Sequence, residues 1–405
     1  MKKSLVALAA LAATTAFAQS SVTISGNVDV SMGTKEVING AGKTYAKTNG
    51  VQDGLHAPNR IFINVTEDLG GGMKFKFQNE HGISPTNTTD WSTRQSNAAP
   101  TSVGIDKSAA STDTEIPMNG FLTNGTNRGT FVALEGGFGE VRAGYLVSQF
   151  YNLSAQSGYF MGSENYGGLL QVHGMAAQGT TRGNGIDYKT PKVGDFTFSV
   201  QKRYGNERTV TADSAAAPYT SLKAETMSYR ADYAKGPFAA GYVYATLKGD
   251  TQAQGTTNVP SSSVWGVAGS AVNSANNNTA DNKVSLLAGS YTTGPFKATV
   301  HINSATVNNS VDANDRKFKS TQYGLQYTMG AASIFGITGS GDVKKSDGTK
   351  VNDVKNTQYG IRYAMSKRTT AYLMTGKSED KAIAASDTTR AKEAKMTGFG
   401  LAHAF

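Results

Sequence analysis

The side chains that could do chemistry are present but not arranged for it. The five histidines, His56, His81, His173, His301 and His403, are scattered, and no two stand at the i, i+4 spacing that puts metal ligands on one helix face. Each reads as a loop, interior or interface residue. Cysteine is absent, which removes thiolate metal sites, thiol nucleophiles and disulfides together and suits passage through an oxidising compartment. Gly40-Ala41-Gly42-Lys43-Thr44 ends like a phosphate-binding loop, but Val37 occupies the place of the first glycine and no strand-then-helix pattern surrounds it. Gly137-Phe138-Gly139 opens like a dinucleotide fingerprint, yet Arg142 stands where the third glycine belongs, so it reads as a turn. A Ser/His/acid triad is defined by geometry, and nothing in the sequence favours one. No metal, cofactor or catalytic centre is expected, and the chain does not read as an enzyme.

Composition says what kind of element must carry the remaining polar groups. Of 405 residues 38% are hydrophobic and 17% charged, with 46 Gly, 18 Tyr and 17 Phe. Soluble domains usually carry about 45–50% apolar and about 25% charged residues, while disordered chains lack this aromatic content. No run approaches the roughly 18 apolar residues of a spanning helix, so a helical membrane protein is excluded. The N-terminus has the layout of a Sec signal peptide: Lys2 and Lys3, an apolar run from Leu5 to Ala13, and the small-x-small site Ala16-Phe17-Ala18. Residues 1–18 are expected to be removed, leaving 19–405 as one exported domain.

Val22, Ile24, Val28, Val30 and Met32 alternate with Thr23, Ser25, Asn27, Asp29 and Ser31, the period-2 pattern of a strand with one apolar and one polar face. Phe196, Phe198 and Val200 against Thr197, Ser199 and Gln201 repeat it, as do Phe296, Ala298, Val300 and Ile302 against Lys297, Thr299, His301 and Asn303. Sixteen candidate strands follow: 22–32, 60–67, 73–80, 129–135, 140–146, 185–189, 196–203, 226–233, 238–247, 283–292, 296–306, 319–327, 332–341, 356–363, 370–377 and 395–405. Short turns such as Lys235-Gly236-Pro237 and Thr293-Gly294-Pro295 alternate with long segments such as 81–128, 204–225 and 248–282. This is the layout of an all-β, transmembrane antiparallel β-barrel of 16 strands.

Lipid offers no hydrogen bonds, so a spanning sheet must close on itself, and sixteen strands enclose a lumen too wide for side chains to fill. The apolar face then meets lipid and the polar face lines water. Tyr151, Tyr188, Phe196, Tyr233, Phe238, Tyr242, Tyr291, Phe296, Tyr323, Tyr327, Tyr359, Tyr363 and Tyr372 fit, as a set, the interfacial girdles of such barrels.

Several stretches carry a resemblance: Ser20-Ser21-Val22-Thr23-Ile24, Glu67-Asp68-Leu69-Gly70-Gly71-Gly72-Met73-Lys74, Asn127-Arg128-Gly129-Thr130-Phe131-Val132-Ala133-Leu134, Tyr188-Lys189-Thr190-Pro191 and Tyr363-Ala364-Met365-Ser366-Lys367-Arg368-Thr369. In these the chain resembles the general porins of Gram-negative bacteria, in their betaproteobacterial branch, and Phe405 is similar to the family's C-terminal aromatic. The resemblance implies an outer-membrane homotrimer, each barrel a passive channel for ions and small hydrophilic solutes, with the long third loop folded into the lumen. That loop runs about 147–183 and holds one acid, Glu164.

By strand parity Lys74, Lys76 and Arg142 face inward near it, while Arg60, Arg128 and Arg182 lie at strand ends or on loops. A basic wall opposite one carboxylate raises the local anion concentration, giving a modest anion preference. Asn64 and Tyr145 stand where the family tends to carry arginine, which argues against a strong one. The spread of basic residues argues against nucleic acid as a partner and favours contact of external bases with lipopolysaccharide. The expected function is a general diffusion porin of the outer membrane. The alternatives are a substrate-specific channel of the same fold, and a plugged barrel acting as enzyme or adhesin.

Overall fold

A computed structural model describes residues 20–83, 85–86, 127–156, 182–204, 209–210, 220–221, 223–251, 278–279, 282–308, 315–388 and 390–405. The expected signal peptide 1–18, the proposed start at Gln19, Glu164 and the body of the third loop lie outside these residues.

Each candidate strand is present. In chain order they are β1 (Ser21–Asn39), β2 (Arg60–Gly70), β3 (Met73–Gly82), β4 (Asn127–Gly136), β5 (Gly139–Val147), β6 (Arg182–Lys189), β7 (Phe196–Tyr204), β8 (Lys223–Lys235), β9 (Phe238–Thr251), β10 (Asn282–Thr293), β11 (Phe296–Val307), β12 (Arg316–Met329), β13 (Ala332–Lys345), β14 (Lys350–Ala364), β15 (Thr369–Asp380) and β16 (Ala391–Ala404). Sequential neighbours pair antiparallel throughout. The sheet closes because β1 pairs with β2 from Ser21↔Thr66 to Asn27↔Arg60 and with β16 from Asn27↔Ala404 to Asn39↔Ala391. The tight turns between β8 and β9 and between β10 and β11 place Gly236 and Gly294 at φ 57° and 53°, each followed by proline. A positive φ at the first central position suits the right-handed twist of a two-residue hairpin, and only glycine adopts it without strain.

Burial is inverted relative to a soluble barrel. Val22, Ile24 and Leu325 are 64–67% exposed on the outer face, whereas Asp29, Gln201, Ser228, His301 and Gln358 are at most 2% exposed on the inner one. Near the short turns, cross-strand aromatic pairs recur on successive hairpins: Phe196 with Tyr233 at 5.0 Å between ring centroids, Phe238 with Tyr291 at 4.8 Å, and Phe296 with Tyr327 at 4.7 Å. They form part of a girdle at the short-turn rim. Two of the aromatics grouped with it by sequence lie elsewhere. Tyr372 faces inward, 4% exposed, and Tyr151 ends a helical turn after β5.

Two further features were not legible in the periodicity. β1 continues to Asn39 and folds back as the arm Thr44–Asp53, which pairs with β1 from Val30↔Asp53 to Ile38↔Thr44. Because β2 begins only opposite Asn27, the arm covers a backbone edge that would otherwise be left bare. The inner wall is also not uniformly polar. Val243, Leu286, Ala305, Phe318 and Val343 form one inward apolar patch, covered by Phe150 and Leu153 of the segment after β5, both fully buried. Phe335, Ile337, Tyr372, Met374 and Met396 form a second, covered by Leu55.

Candidate functional site

The site grows from adjacent strands whose inward positions carry charge. β3 presents Lys74, Lys76, Gln78 and Glu80 inward, and the antiparallel register brings Lys76 level with Ala133 of β4 and Ala133 level with Arg142 of β5. Glu135 and Glu140 are direct partners one pair closer to the short turns, and Lys74 sits opposite Asp68 and Glu135. Lys76 Nζ donates to Glu140 Oε2 at 2.9 Å and also to Glu135, while Arg142 Nε donates to Glu140 Oε1. Arg142 additionally lies 5.1 Å from the Phe131 ring centroid. Lys76 and Arg142 together with Glu135 and Glu140 form a closely paired lower tier, and Asp187 on β6 stands level with Arg142.

Closer to the long-loop rim stands a second tier, in which bases outnumber acids among the described residues. Arg60 Nη1 and Arg128 Nε both donate to Glu80 Oε1, at 3.5 and 2.8 Å, and the Glu80 side chain is 5% exposed. Arg182 Nε donates to the Arg128 carbonyl, its guanidinium lies 5.3 Å from the Tyr151 ring centroid, and it is close enough to feel the Arg128 charge. Two guanidiniums therefore share the Glu80 carboxylate, and a third stands beside them. Arg60 and Glu80, with Phe62, Arg142, Tyr145 and Asp187, line a cavity of about 300 Å³.

The third-loop segment is tied to this wall at its root. Ser148 Oγ caps the turn Gln149–Tyr151 by accepting from Tyr151 N at 3.0 Å, and Gln149 Nε2 donates to both Asp187 oxygens at 3.0 Å. Arg230 joins the far side, donating to Gln149 Oε1 at 3.5 Å and to Asp232 at 2.7 Å. Phe150 and Leu153 anchor the other face of the segment on the apolar patch already described.

A family model described as Gram-negative porin matches residues 4–382. The chain belongs to the Gram-negative porin family. This porin is a protein of the outer membrane. It is 30% identical over 205 residues to the major outer membrane protein P.IB of Neisseria gonorrhoeae, a match that covers 50% of this chain and 48% of that one. It is 33% identical over 225 residues to outer membrane porin protein 32 of Delftia acidovorans, with 53% of each chain covered. Both are betaproteobacterial, as the resemblance implied. The porin spans about half the length of the curated relatives it matches. Among solved structures it is similar in fold to the anion-selective porin from Comamonas acidovorans, with a TM-score of 0.65, 23% identity, and 96% and 100% of the two chains covered. The outer membrane channel DcaP of Acinetobacter baumannii gives a TM-score of 0.56 at 13% identity, over 95% and 97% of the chains.

Of the porin's sequence-predicted residues, the structure brings Arg60, Arg128 and Arg182 into the upper tier and Lys76 and Arg142 into the lower, with Lys74 below them. The wall acids Glu80, Glu135, Glu140 and Asp187 were not anticipated. Parity was the available signal, since Glu80 shares the face of Lys74 and Lys76, and Glu140 that of Arg142. Also missed were inner-wall bases on later strands, among them Arg203, Arg230 and Arg362, whose guanidinium lies 4.1 Å from the Phe335 ring centroid.

Proposed function

We propose that this porin is a general diffusion channel, water-filled and weakly anion-preferring, that passes ions and small hydrophilic solutes and performs no catalysis. The observation that carries the reading is the upper tier, where, among the described residues, Arg60 and Arg128 share the carboxylate of Glu80 and Arg182 stands beside Arg128, next to the lumenal cavity. Excess positive charge in a narrow, low-dielectric passage raises the local anion concentration. The near cancellation in the lower tier keeps the preference weak. The docked root of the third loop, held by Phe150, Leu153 and Gln149 inside the barrel wall, supports a path for that loop into the lumen. Residues 1–18 direct export, the mature chain begins at Gln19, and three copies assemble. On the outer face, Lys248, Lys283, Lys317 and Lys319 project beyond the lipid-facing Tyr242, Leu287 and Tyr323, where they can meet the phosphates of lipopolysaccharide. Single-channel recording of the purified protein across a salt gradient tests the reading. Stepwise openings with a reversal potential of anionic sign are expected. A cation-selective channel would remove the basic-wall account, and folded protein that does not conduct would remove the channel itself.

A further inference from the structure

Between the arm Thr44–Asp53 and β2, the segment Gly54–Asn59 turns inside the barrel. The proof lies in what it covers. Phe335, Ile337, Tyr372, Met374 and Met396 point away from lipid, since their strand neighbours Ile334, Leu373 and Phe399 lie on the exposed outer face. Inward side chains in a water-filled barrel would be wet, yet these are at most 4% exposed and Leu55, fully buried, is packed among them. Only a segment inside the lumen can cover them.

Asp29 of β1 fixes the segment in place. Its carboxylate accepts from the backbone N–H of His56 at 2.7 Å, from that of Ala57 at 2.8 Å and from the Tyr372 hydroxyl at 2.5 Å, and its carbonyl accepts from Gly54 N at 2.8 Å. Three bonds to one fully buried carboxylate order a loop that has no secondary structure of its own. The far end of the segment is coupled to the charged wall. Asn27 Nδ2 donates to the Pro58 carbonyl at 2.7 Å, and Asn27 Oδ1 accepts from Arg60 Nε at 3.1 Å. The segment therefore stands at the level of the upper tier, and the same asparagine that holds it also orients the Arg60 guanidinium.

We propose that Gly54–Asn59 is a second, fixed constriction element of the channel, built in addition to the third loop, with Asp29 as its positioning residue and Asn27 as its link to the selectivity-setting Arg60. The inference rests on the channel reading above. A pore bounded by two inward segments has its area set by both, and releasing either widens it.

Because the chain has no cysteine, Ala57→Cys introduces a single thiol on the half-buried part of the segment. In a planar bilayer, a negatively charged methanethiosulfonate reagent is expected to cut single-channel conductance by about a third or more while shifting the reversal potential toward cations. Asp29→Ala is expected to raise conductance about 1.5-fold or more, with Tyr372→Phe, which keeps both backbone bonds, giving a smaller rise. Unchanged conductance after the adduct is confirmed by mass, or a thiol that reacts only in unfolded protein, would overturn the proposal even if Asp29→Ala does not fold. Wild-type protein that fails to conduct would instead strike the channel reading, so the two failures are separable.

Discussion

Lys76 reaches across the whole width of β4 to Glu140, Nζ to Oε2 at 2.9 Å, although the two residues belong to strands that do not touch. The reach is diagonal: Lys76 is level with Ala133 on β4, whose methyl leaves the inner surface low, while Glu140 is level with Glu135. One lysine is thereby spread over two carboxylates, Glu135 and Glu140, and one carboxylate over two bases, Lys76 and Arg142. Charges that line a lumen act on passing ions only to the extent that neighbours do not cancel them, so this pairing decides what each residue is worth to selectivity.

Removing one member of the lower tier should shift its net charge. Glu140→Gln is expected to raise the anion-to-cation permeability ratio by about twofold, and Lys76→Ala to lower it by a similar factor. Reversal potentials across a salt gradient measure both. Equal shifts of the same sign would mean that the tier does not face the ion path.

The upper tier couples selectivity to stability. Glu80→Gln leaves Arg60 and Arg128 without their shared carboxylate, so anion preference should rise while the folded barrel loses about 3 kcal/mol, the low end for breaking a buried ion pair because Arg128 keeps some access to water. The loss is read as a lower midpoint of thermal or denaturant unfolding. An unchanged midpoint would show that water had already solvated the pair.

Undocking the third loop should be audible in the current. Phe150→Ala removes a fully buried ring from the inner apolar patch, which costs about 3–5 kcal/mol where a core closes poorly around the gap. The expected result is flickering between conductance levels with the barrel still folded. Steady current indistinguishable from wild type would mean that the Gln149–Asp187 bonds alone hold the loop root.

Ionic strength separates long-range steering from contact. Screening shortens the reach of charge from about 10 Å at 0.1 M salt to about 3 Å at 1 M. The anion preference should therefore fall toward unity between those concentrations while conductance keeps rising. A preference independent of salt would place the selecting groups in direct contact with the ion.

The amino-acid sequence by itself determined the barrel. Alternation of apolar and polar residues has period two, lipid excludes unpaired backbone, and closure of sixteen such strands follows without knowledge of any contact. Parity, being local, also put Lys74 and Lys76 on one face of β3 and Arg142 on the matching face of β5, but it did not single out Arg203, Arg230 or Arg362 on later strands. Ion pairing was a different matter. Glu135 and Glu140 become partners of Lys76 only through the lateral register of three strands, and register is a property of the closed sheet rather than of any one strand. The inward segments needed the tertiary structure for the same reason. Leu55 is an unremarkable apolar residue between a polar arm and a strand, and its destination is an inner-wall patch assembled from Phe335, Ile337, Tyr372, Met374 and Met396, nearly 300 residues or more away along the chain. Asp29 was one polar position among many on β1, until the fold brought Tyr372 and the backbone of His56 and Ala57 to its carboxylate. Local periodicity fixes which way a side chain points, and only closure of the barrel fixes what it meets there.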